Sequence, residues 1–161
     1  MGETSLSADD IRRLYERHGP ALVVYACGFG LDSSSAEDAV HTVFHRLLRE
    51  PTAAPRNPAG YIYRAVRNAA LNVRRNGKQN IALDESCFIH PDGDRESGLA
   101  LQKALANLPE EQREAVIMRV WSGMTLDEIA GASDVPLNTI ASRYRYALGK
   151  LRDALRPYKE R

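Results

Sequence analysis

Residues 125–155 read TLDEIAGASDVPLNTIASRYRYALGKLRDAL, and their pattern is that of two consecutive helices. Thr125 is followed three residues later by Glu128, the spacing at which a threonine hydroxyl and a glutamate carboxylate cap the first turn of a helix. The apolar residues of this short helix share one face: Leu126, Ile129 and Ala130. The segment from Gly131 to Pro136 then supplies a bend, and Pro136 suits the first turn of a second helix.

The second helix separates an apolar stripe from a polar face. The stripe consists of Ile140, Tyr144, Ala147, Leu148, Leu151 and Leu155. The polar face carries Asn138, Thr139, Ser142, Arg143, Arg145 and Tyr146. Seven basic and two acidic residues lie between residue 136 and the end of the chain, which favours contact with a polyanion. We interpret the pair as a helix-turn-helix that reads a DNA major groove, the alternative being a hairpin whose charged face is only solvated.

The N-terminal half contains three further helical patterns. Residues 7–29 predict a helix whose start is capped by Ser7. A second helix begins at Ser33. Its expected apolar stripe is Ala36, Val40, Val43, Phe44, Leu47 and Leu48. Three prolines within residues 51–58 force a loop, because proline lacks a backbone donor, and a third helix follows over about residues 59–76.

Helical periodicity is lost between the two halves of the chain. Residues 79–97 are expected to form a flexible linker, since this stretch is acidic, contains a proline and a glycine, and has no sustained period. Helical pattern then resumes and runs to Trp121, with a stop at Pro109. We therefore predict an all-α protein of two small helical domains, residues 1–78 and 98–161, joined by this linker.

The charge of the chain alternates in sign although its net value is only +1. Residues 1–50 carry 5 basic and 8 acidic groups, whereas residues 51–80 carry 6 basic groups and no acidic one. Residues 81–111 carry 2 basic and 7 acidic groups, and residues 112–161 carry 9 and 6. Two basic blocks separated by acidic ones suit a protein that touches a polyanion at two places and another partner elsewhere.

Several function classes find no support in the sequence. It contains no Gly-rich phosphate loop, no GxSxG and no clustered Cys, His and Asp, so we expect neither an enzyme nor a cofactor. His41 and His45 lie four residues apart, but no third ligand is near in sequence, so no metal site is expected. The apolar runs are too short to span a bilayer, and we expect a cytoplasmic protein without membrane insertion.

Five stretches together resemble the extracytoplasmic-function (ECF, group 4) sigma factors of bacterial RNA polymerase. Three of them are similar to region four of that family: LANLPEEQREA at 105–115, DEIA at 127–130 and NTIASR at 138–143. AEDAVHTVF at 36–44 resembles the family's core-polymerase-binding helix, and YIYRAVRN at 61–68 resembles its promoter-melting helix. The matches follow the family's order and together span nearly all of the chain.

The resemblance implies that residues 1–78 are sigma region 2 and residues 98–161 are sigma region 4. Core polymerase would be bound by Asp38, His41, Thr42, His45 and Arg46. The minus-ten promoter element would be recognised and melted by Asn57, Tyr61, Arg64, Arg67, Asn68, Asn72, Arg74 and Arg75. The minus-thirty-five element would be read by Asn138, Thr139, Ser142, Arg143 and Arg145. The implied partners are core polymerase, promoter DNA and an anti-sigma factor, and the free protein is expected to be a monomer.

The residue types of the third helix suit an unpaired DNA strand. Tyr61 and Tyr63 offer stacking surfaces beside a basic track, the combination that single-stranded bases require. The alternative is that both tyrosines belong partly to the core and that the arginines only solubilise the helix. At the level of the whole protein, the alternative is a helix-turn-helix regulator that acts without polymerase. Affinity for core polymerase distinguishes these two functions.

Overall fold

The structure, a computed structural model, describes residues 5–50, 53–77 and 95–159. These residues form the helices α1 Ala8–Cys27, α2 Ser33–Arg49, α3 Pro58–Asn76, α4 Arg95–Ala106, α5 Glu110–Val120, α6 Leu126–Ser133 and α7 Leu137–Lys159. Within this part of the chain no strand forms beyond an isolated bridge between Ser5 and Ala53. The expected all-α architecture is confirmed. Residues 79–94 of the expected linker lie outside the described residues, and α4 begins at Arg95.

Short polar side chains begin each of the three N-terminal helices. The Ser7 hydroxyl accepts a hydrogen bond from the Asp10 amide at 3.1 Å, and the Asp10 carboxylate accepts one from the Ser7 amide at 2.9 Å. Asp32 caps α2 by accepting from the Ser35 amide at 2.7 Å, and Asn57 caps α3. These caps satisfy amide donors that the first turn of a helix leaves unpaired, which is why the helices begin at these residues.

Helices α1, α2 and α3 pack around a shared apolar core. Its largest fully buried side chains are Leu22, Tyr25, Phe29, Leu31, Ile62 and Tyr63. The expected stripe of α2 is buried except for its last member, because Leu48 is 57% exposed. Consecutive helical residues point about 100° apart, so Leu47 reaches the core and Leu48 does not. The prediction that Leu48 belongs to the core was wrong.

Helices α4 to α7 form a second group that ends in the helix-turn-helix. Thr125 and Glu128 form the expected capping box, with both hydrogen bonds at 3.1 Å. Helix α6 continues through Ser133, so the bend is shorter than the expected segment 131–136, and Asp134 closes it with a left-handed φ of 56°. The α7 stripe is buried at Ile140, Ala147 and Leu151 and exposed at Leu148, which corrects the expectation for Leu148.

The two helical groups pack directly on each other. Helix α1 contacts α5, and α3 contacts α6. A Cβ atom on Gly28 would lie only 2.9 Å from Cδ1 of Ile117, so the backbone at the end of α1 and the Ile117 side chain of α5 are in close contact. The Tyr63 hydroxyl is hydrogen bonded to the Ser122 hydroxyl across the same contact. Buried apolar residues are therefore continuous from one group to the other.

Candidate nucleic-acid and polymerase interface

The residues assigned to core polymerase all lie on the solvent side of α2. They are Asp38, His41, Thr42, His45 and Arg46, and every one of these side chains is exposed. The Thr42 hydroxyl donates to the Asp38 carbonyl at 2.8 Å. Nε2 of His41 lies 3.2 Å from the hydroxyl of Tyr15 on α1. The five residues thus form one continuous outer face, which we call the α2 face.

An apolar groove runs beside the α2 face, between α1 and α2. Its volume is about 270 Å³. Its lining includes Ile11, Tyr15, Phe44, His45 and Leu48. Leu48, which the sequence pattern assigned to the core, lies on this groove instead. The pattern could not separate the two locations, because an apolar residue beside a helical stripe gives the same signal in the core and at the edge of a groove.

The residues assigned to the minus-ten element lie along α3 and at its N-cap. Tyr61, Arg64, Asn68, Asn72 and Arg75 are exposed, and Asn57, Arg67 and Arg74 are half-buried. Tyr63 is fully buried, with its ring centroid 5.1 Å from that of Tyr25, and burial raises the pKa of its hydroxyl well above the ordinary value. The expectation that Tyr63 offers a stacking surface was wrong. Residues two apart on a helix point about 200° from each other, so only Tyr61 of the pair faces solvent.

Three arginines of α3 contact acceptors from the C-terminal helices. Nη1 of Arg74 lies 2.7 Å from Oε2 of Glu110, and Nε of Arg67 lies 3.3 Å from Oε1 of Glu114. Nε of Arg64 donates to a backbone carbonyl near the end of α6 at 3.2 Å. Three of the four arginines of α3 therefore contact the second helical group, and the fourth, Arg75, is exposed.

Glu114 is the most enclosed acid of this contact. Its side chain is 14% exposed, against 37% for Glu110. Burial raises the pKa of the Glu114 carboxyl, while the charge and hydrogen bond of Arg67 oppose that rise. A carboxylate removed from water needs a compensating partner, so the ionised form of Glu114 depends on the Arg67 guanidinium.

The amide of Asn57 has both ends engaged. Oδ1 accepts from the Gly60 amide at 3.0 Å as the cap of α3, and Nδ2 donates to the Glu128 carbonyl at 3.4 Å. Asn57 thus joins the start of α3 to α6. The amide keeps one N–H and one oxygen lone pair for a further contact.

The residues assigned to the minus-thirty-five element lie on the first half of α7. Asn138 and Arg145 are exposed, and Thr139, Ser142 and Arg143 are half-buried. Nη2 of Arg143 lies 3.7 Å from Oε2 of Glu111, and the Arg145 guanidinium lies 5.5 Å from the centroid of the Tyr146 ring. These positions begin the second helix of the helix-turn-helix, the part that enters the major groove in this motif.

Arg113 is a structural residue that the pattern analysis missed. Its guanidinium donates to the carbonyls of Leu105 at 2.9 Å, Leu108 at 3.1 Å, Ala106 at 3.2 Å and Gly28 at 2.6 Å. Leu105 and Ala106 end α4, Leu108 lies in the connection to α5, and Gly28 is the C-cap of α1. One side chain therefore closes the α4–α5 connection and ties it to the N-terminal helices. Composition and periodicity carry no signal for such a role.

His18 is a buried titratable group at the contact between the helical groups. It is 5% exposed, its ring stands edge-on to Tyr63 at 6.0 Å, and Nδ1 has no hydrogen-bond partner among the described residues. Burial lowers the pKa of His18 below its ordinary value of 6.5, with repulsion from Arg17 adding to the effect and Glu128 opposing it. The fold therefore favours the neutral imidazole.

Acidification is expected to destabilise the wild-type chain through His18. Because the pKa is lowered on folding, the contribution of neutral His18 is complete above pH 6.5 and is lost as the pH falls through the lowered pKa. One proton limits this loss to about 1.4 kcal/mol per pH unit. Unfolding of wild type and His18→Gln between about pH 7.5 and 5.5 should give the smaller loss for His18→Gln. Equal losses of stability in wild type and His18→Gln would show that the effect of acid does not come from His18.

The described residues hold no group of three or more His, Cys, Asp and Glu side chains placed to bind a metal ion. His41 and His45 gain no third ligand from the helices that surround them there. No helix in the same part of the chain is long and apolar enough to cross a membrane.

Solved structures with the same architecture include a sigma factor bound to an anti-sigma factor. CnrH, solved with the cytosolic domain of CnrY, superimposes with a TM-score of 0.67 at 21% identity, covering 94% of this chain and 90% of that one. RpoE of Bartonella quintana, solved with the anti-sigma factor NepR, gives a TM-score of 0.68 at 22% identity and covers 92% and 98%. These likenesses establish the fold.

Sequence comparisons identify both halves of the chain. The Sigma-70 region 2 family matches residues 14–79, and the Sigma-70, region 4 family matches residues 98–151. The ECF RNA polymerase sigma factor RpoE of Cereibacter sphaeroides is 29% identical over 86% of this chain and 82% of its own length. SigL of Mycobacterium tuberculosis is 27% identical over 94% and 92%. A stand-alone regulator is not favoured, and the chain belongs to the extracytoplasmic-function sigma factors of the sigma-70 family.

Proposed function

We propose that this chain binds core RNA polymerase and directs it to promoters through a minus-ten and a minus-thirty-five element. The observation that carries the proposal is the placement of three polar surfaces on three helices, α2, α3 and α7, inside the matches to regions 2 and 4. Residues 1–78 would act as region 2 and residues 98–161 as region 4. The chain would work in the cytoplasm as a specificity subunit that catalyses no reaction.

Core polymerase would bind the α2 face. The apolar side of α2 is buried against α1 and α3, which leaves Asp38, His41, Thr42, His45 and Arg46 free to meet a partner. A helix that is fixed on one side in its own domain can present the other side to helices of a partner protein. Charges of both signs on the α2 face would orient the docking more than they would add affinity.

The minus-ten element would be held as an unpaired strand along α3. Tyr61 is 40% exposed and offers a ring on which a base can stack. Arg75 is an exposed cation for backbone phosphates, and Arg64 is exposed as well but donates to the Ala132 carbonyl. Asn68 and Asn72 can form hydrogen bonds with base edges. Stacking, charge and base-reading groups thus occur together on one helix.

The minus-thirty-five element would lie against the start of α7. Asn138, Thr139 and Ser142 are short polar side chains suited to base edges, while Arg143 and Arg145 would contact phosphates or guanine. Each module supplies few contacts by itself. If region 2 and region 4 are both held on one polymerase, their DNA-binding helices are kept at a high effective concentration near the promoter. High affinity of each region alone for DNA is then not needed, which is consistent with the net charge of only +1.

An anti-sigma factor is a further partner that we propose for this chain. The similar RpoE of Bartonella quintana was solved with the anti-sigma factor NepR. The α2 face is where we expect an inhibitor of this chain to bind, because it would then block polymerase directly. Hydrogen exchange on a complex that left the α2 face as accessible as in the free monomer would contradict this placement.

A double substitution on α2 tests the docking assignment. Asp38→Ala together with His45→Ala should weaken binding to core polymerase about tenfold, the effect of losing one well-placed interface contact. Affinity of the chain for double-stranded minus-thirty-five DNA should not change. Both are measured on the full chain, by fluorescence titration with polymerase and with a labelled duplex.

The control is Asp153→Ala together with Arg156→Ala, an exposed pair on α7 with a separation of 3.2 Å. It also removes one acid and one base, and it should leave polymerase affinity unchanged. Equal weakening by both double variants, or none by the α2 pair, would refute the docking assignment.

A further inference from the structure

A pocket of about 680 Å³ lies between α1, the loop before α3, and α6. We call it the α1–α6 pocket. Of the residues that we assign to polymerase or promoter DNA, only Asn57 lines it. Pockets of this volume hold small-molecule ligands in many proteins. The α1–α6 pocket is therefore large enough for such a ligand, and the functions proposed above do not use it.

One wall of the pocket carries three arginines. Arg13 and Arg17 lie one turn apart on α1, and Arg56 stands directly before the Asn57 cap of α3. All three side chains are exposed, and none of them is in an ion pair within the described part of the chain. Guanidinium groups bind phosphate and carboxylate oxygens strongly. Three of them without a carboxylate partner beside one pocket favour an anionic ligand.

The start of α3 opens on the same wall. Pro58 has no N–H, and the Gly60 amide donates to Oδ1 of Asn57. The amide of Ala59, which lines the pocket, is a first-turn donor for which the helix itself supplies no acceptor. Such donors and the positive end of the helix dipole favour a negative group at this position.

His18 is a buried polar side chain that lines the same pocket. Only 5% of the residue is exposed, and Nδ1 has no hydrogen-bond partner among the described residues. A buried polar atom without a partner is costly, and a ligand is one of the groups that can satisfy it. A neutral imidazole can donate a hydrogen bond from one ring nitrogen and accept one at the other. His18 thus has hydrogen-bonding capacity that the described part of the chain leaves unused.

The opposite wall belongs to α6 and is acidic. Asp127 is exposed, and Glu128 is half-buried, with Oε1 accepting from the Thr125 amide. Carboxylates only accept hydrogen bonds, so this wall repels a bare inorganic anion and attracts N–H donors. A nucleoside phosphate suits both walls, because it carries phosphates at one end and base N–H groups at the other. Guanine offers two adjacent N–H donors, which match the two oxygens of one carboxylate.

We propose that the α1–α6 pocket binds a nucleoside phosphate and that guanine is the base that fits it best. The guanidinium groups of Arg13, Arg17 and Arg56 and the start of α3 hold the phosphates. Asp127 holds the base from the other side. The ligand bridges α1 and α6, and its binding does not depend on the roles that we propose for α2, α3 and α7 in transcription.

Calorimetric titration of the full chain with guanosine triphosphate (GTP), in about 0.15 M salt to screen non-specific attraction, tests the arginine wall. Wild type should bind GTP with a dissociation constant below about 0.1 mM, within the range of small-molecule sites. Arg13→Gln/Arg17→Gln should weaken binding about thirtyfold, the scale of two charged contacts at exposed side chains. The control, Arg12→Gln/Arg152→Gln, removes two exposed arginines outside the pocket and should bind like wild type. Circular dichroism verifies folding of each variant.

Tripolyphosphate tests the acidic wall, because it has the phosphates of GTP without the base. Wild type should bind it about tenfold more weakly than GTP, the scale of one hydrogen bond to a charged group. Asp127→Asn should remove most of this difference without weakening the binding of tripolyphosphate. Equal affinities of wild type for GTP and tripolyphosphate would contradict the assignment of a nucleoside ligand.

A DNA strand is the other source of phosphate for these arginines. The same variants are therefore titrated with a fluorescein-labelled single-stranded DNA of mixed sequence. If Arg13→Gln/Arg17→Gln weakens DNA binding while wild type binds no GTP, the arginines serve DNA and the proposal is overturned. Equal binding of GTP by this variant and its control would overturn it as well. GTP binding that the variant loses and the control keeps supports the proposal, whatever the result with DNA.

Discussion

Replacement of Arg113 by alanine should lower the free energy of unfolding by about 2–4 kcal/mol, the range for a buried hydrogen-bond network that loses its donor. The guanidinium donates to four carbonyls, two at the end of α4, one in the α4–α5 connection and one at Gly28. Alanine leaves these acceptors without their charged donor in a partly buried site. Urea unfolding of the full chain, followed by circular dichroism, gives the measurement.

Two companion variants make the Arg113 result specific. Arg119→Ala removes an exposed arginine from the same helix, with one hydrogen bond to the Met124 carbonyl at 3.0 Å, and should cost less than about 1 kcal/mol. Arg113→Lys keeps the charge but lacks the planar fork, so it should retain only part of the stability. If Arg113→Ala cost no more than Arg119→Ala, the network would not have the structural role described above.

Replacement of Arg143 by alanine should lower transcription from a cognate promoter about tenfold, the value of one good base or phosphate contact. Affinity for core polymerase should stay unchanged, because Arg143 lies on α7 and the polymerase face lies on α2. Abortive initiation assays and polymerase titrations, both with the full chain, measure the two effects separately.

The promoter sequence distinguishes the two roles open to Arg143. If Arg143 contacts guanine, Arg143→Ala should not lower transcription further on templates whose minus-thirty-five element is mutated. If Arg143 contacts a phosphate, the substitution should lower initiation to the same extent on every template. Arg152→Ala, a further exposed arginine on α7 beyond its first half, is the matched control. An equal loss of polymerase affinity in Arg143→Ala would contradict the assignment.

Local patterns predicted the helices of this chain well. The cap at Ser7, the capping box from Thr125 to Glu128 and the start of α3 at Pro58 all depend on residues close in sequence, and the structure has each of them. Errors arose where periodicity had to decide between buried and exposed positions. Leu48 and Tyr63 were placed wrongly, because a helical stripe has no sharp edge and the partner that covers it is distant in the chain.

The contact between the two helical groups could not have been predicted from the same patterns. The arginines of α3 stood out as a basic block, but no pattern indicated that the glutamates of α5 would pair with them. Their pairing joins Arg67 to Glu114 and Arg74 to Glu110, across 47 and 36 residues. Spacing within either helix does not indicate which arginine meets which glutamate, because the paired residues are distant in the sequence.

The most direct test of the central claim uses the full wild-type chain and bacterial core RNA polymerase. The two proteins are mixed, passed over a size-exclusion column, and the complex is supplied with a random promoter library for transcription in vitro. We predict co-elution and initiation, with two conserved elements upstream of the selected start sites. DNA binding by a chain that never co-elutes with polymerase, or a complex that never initiates, would contradict the account.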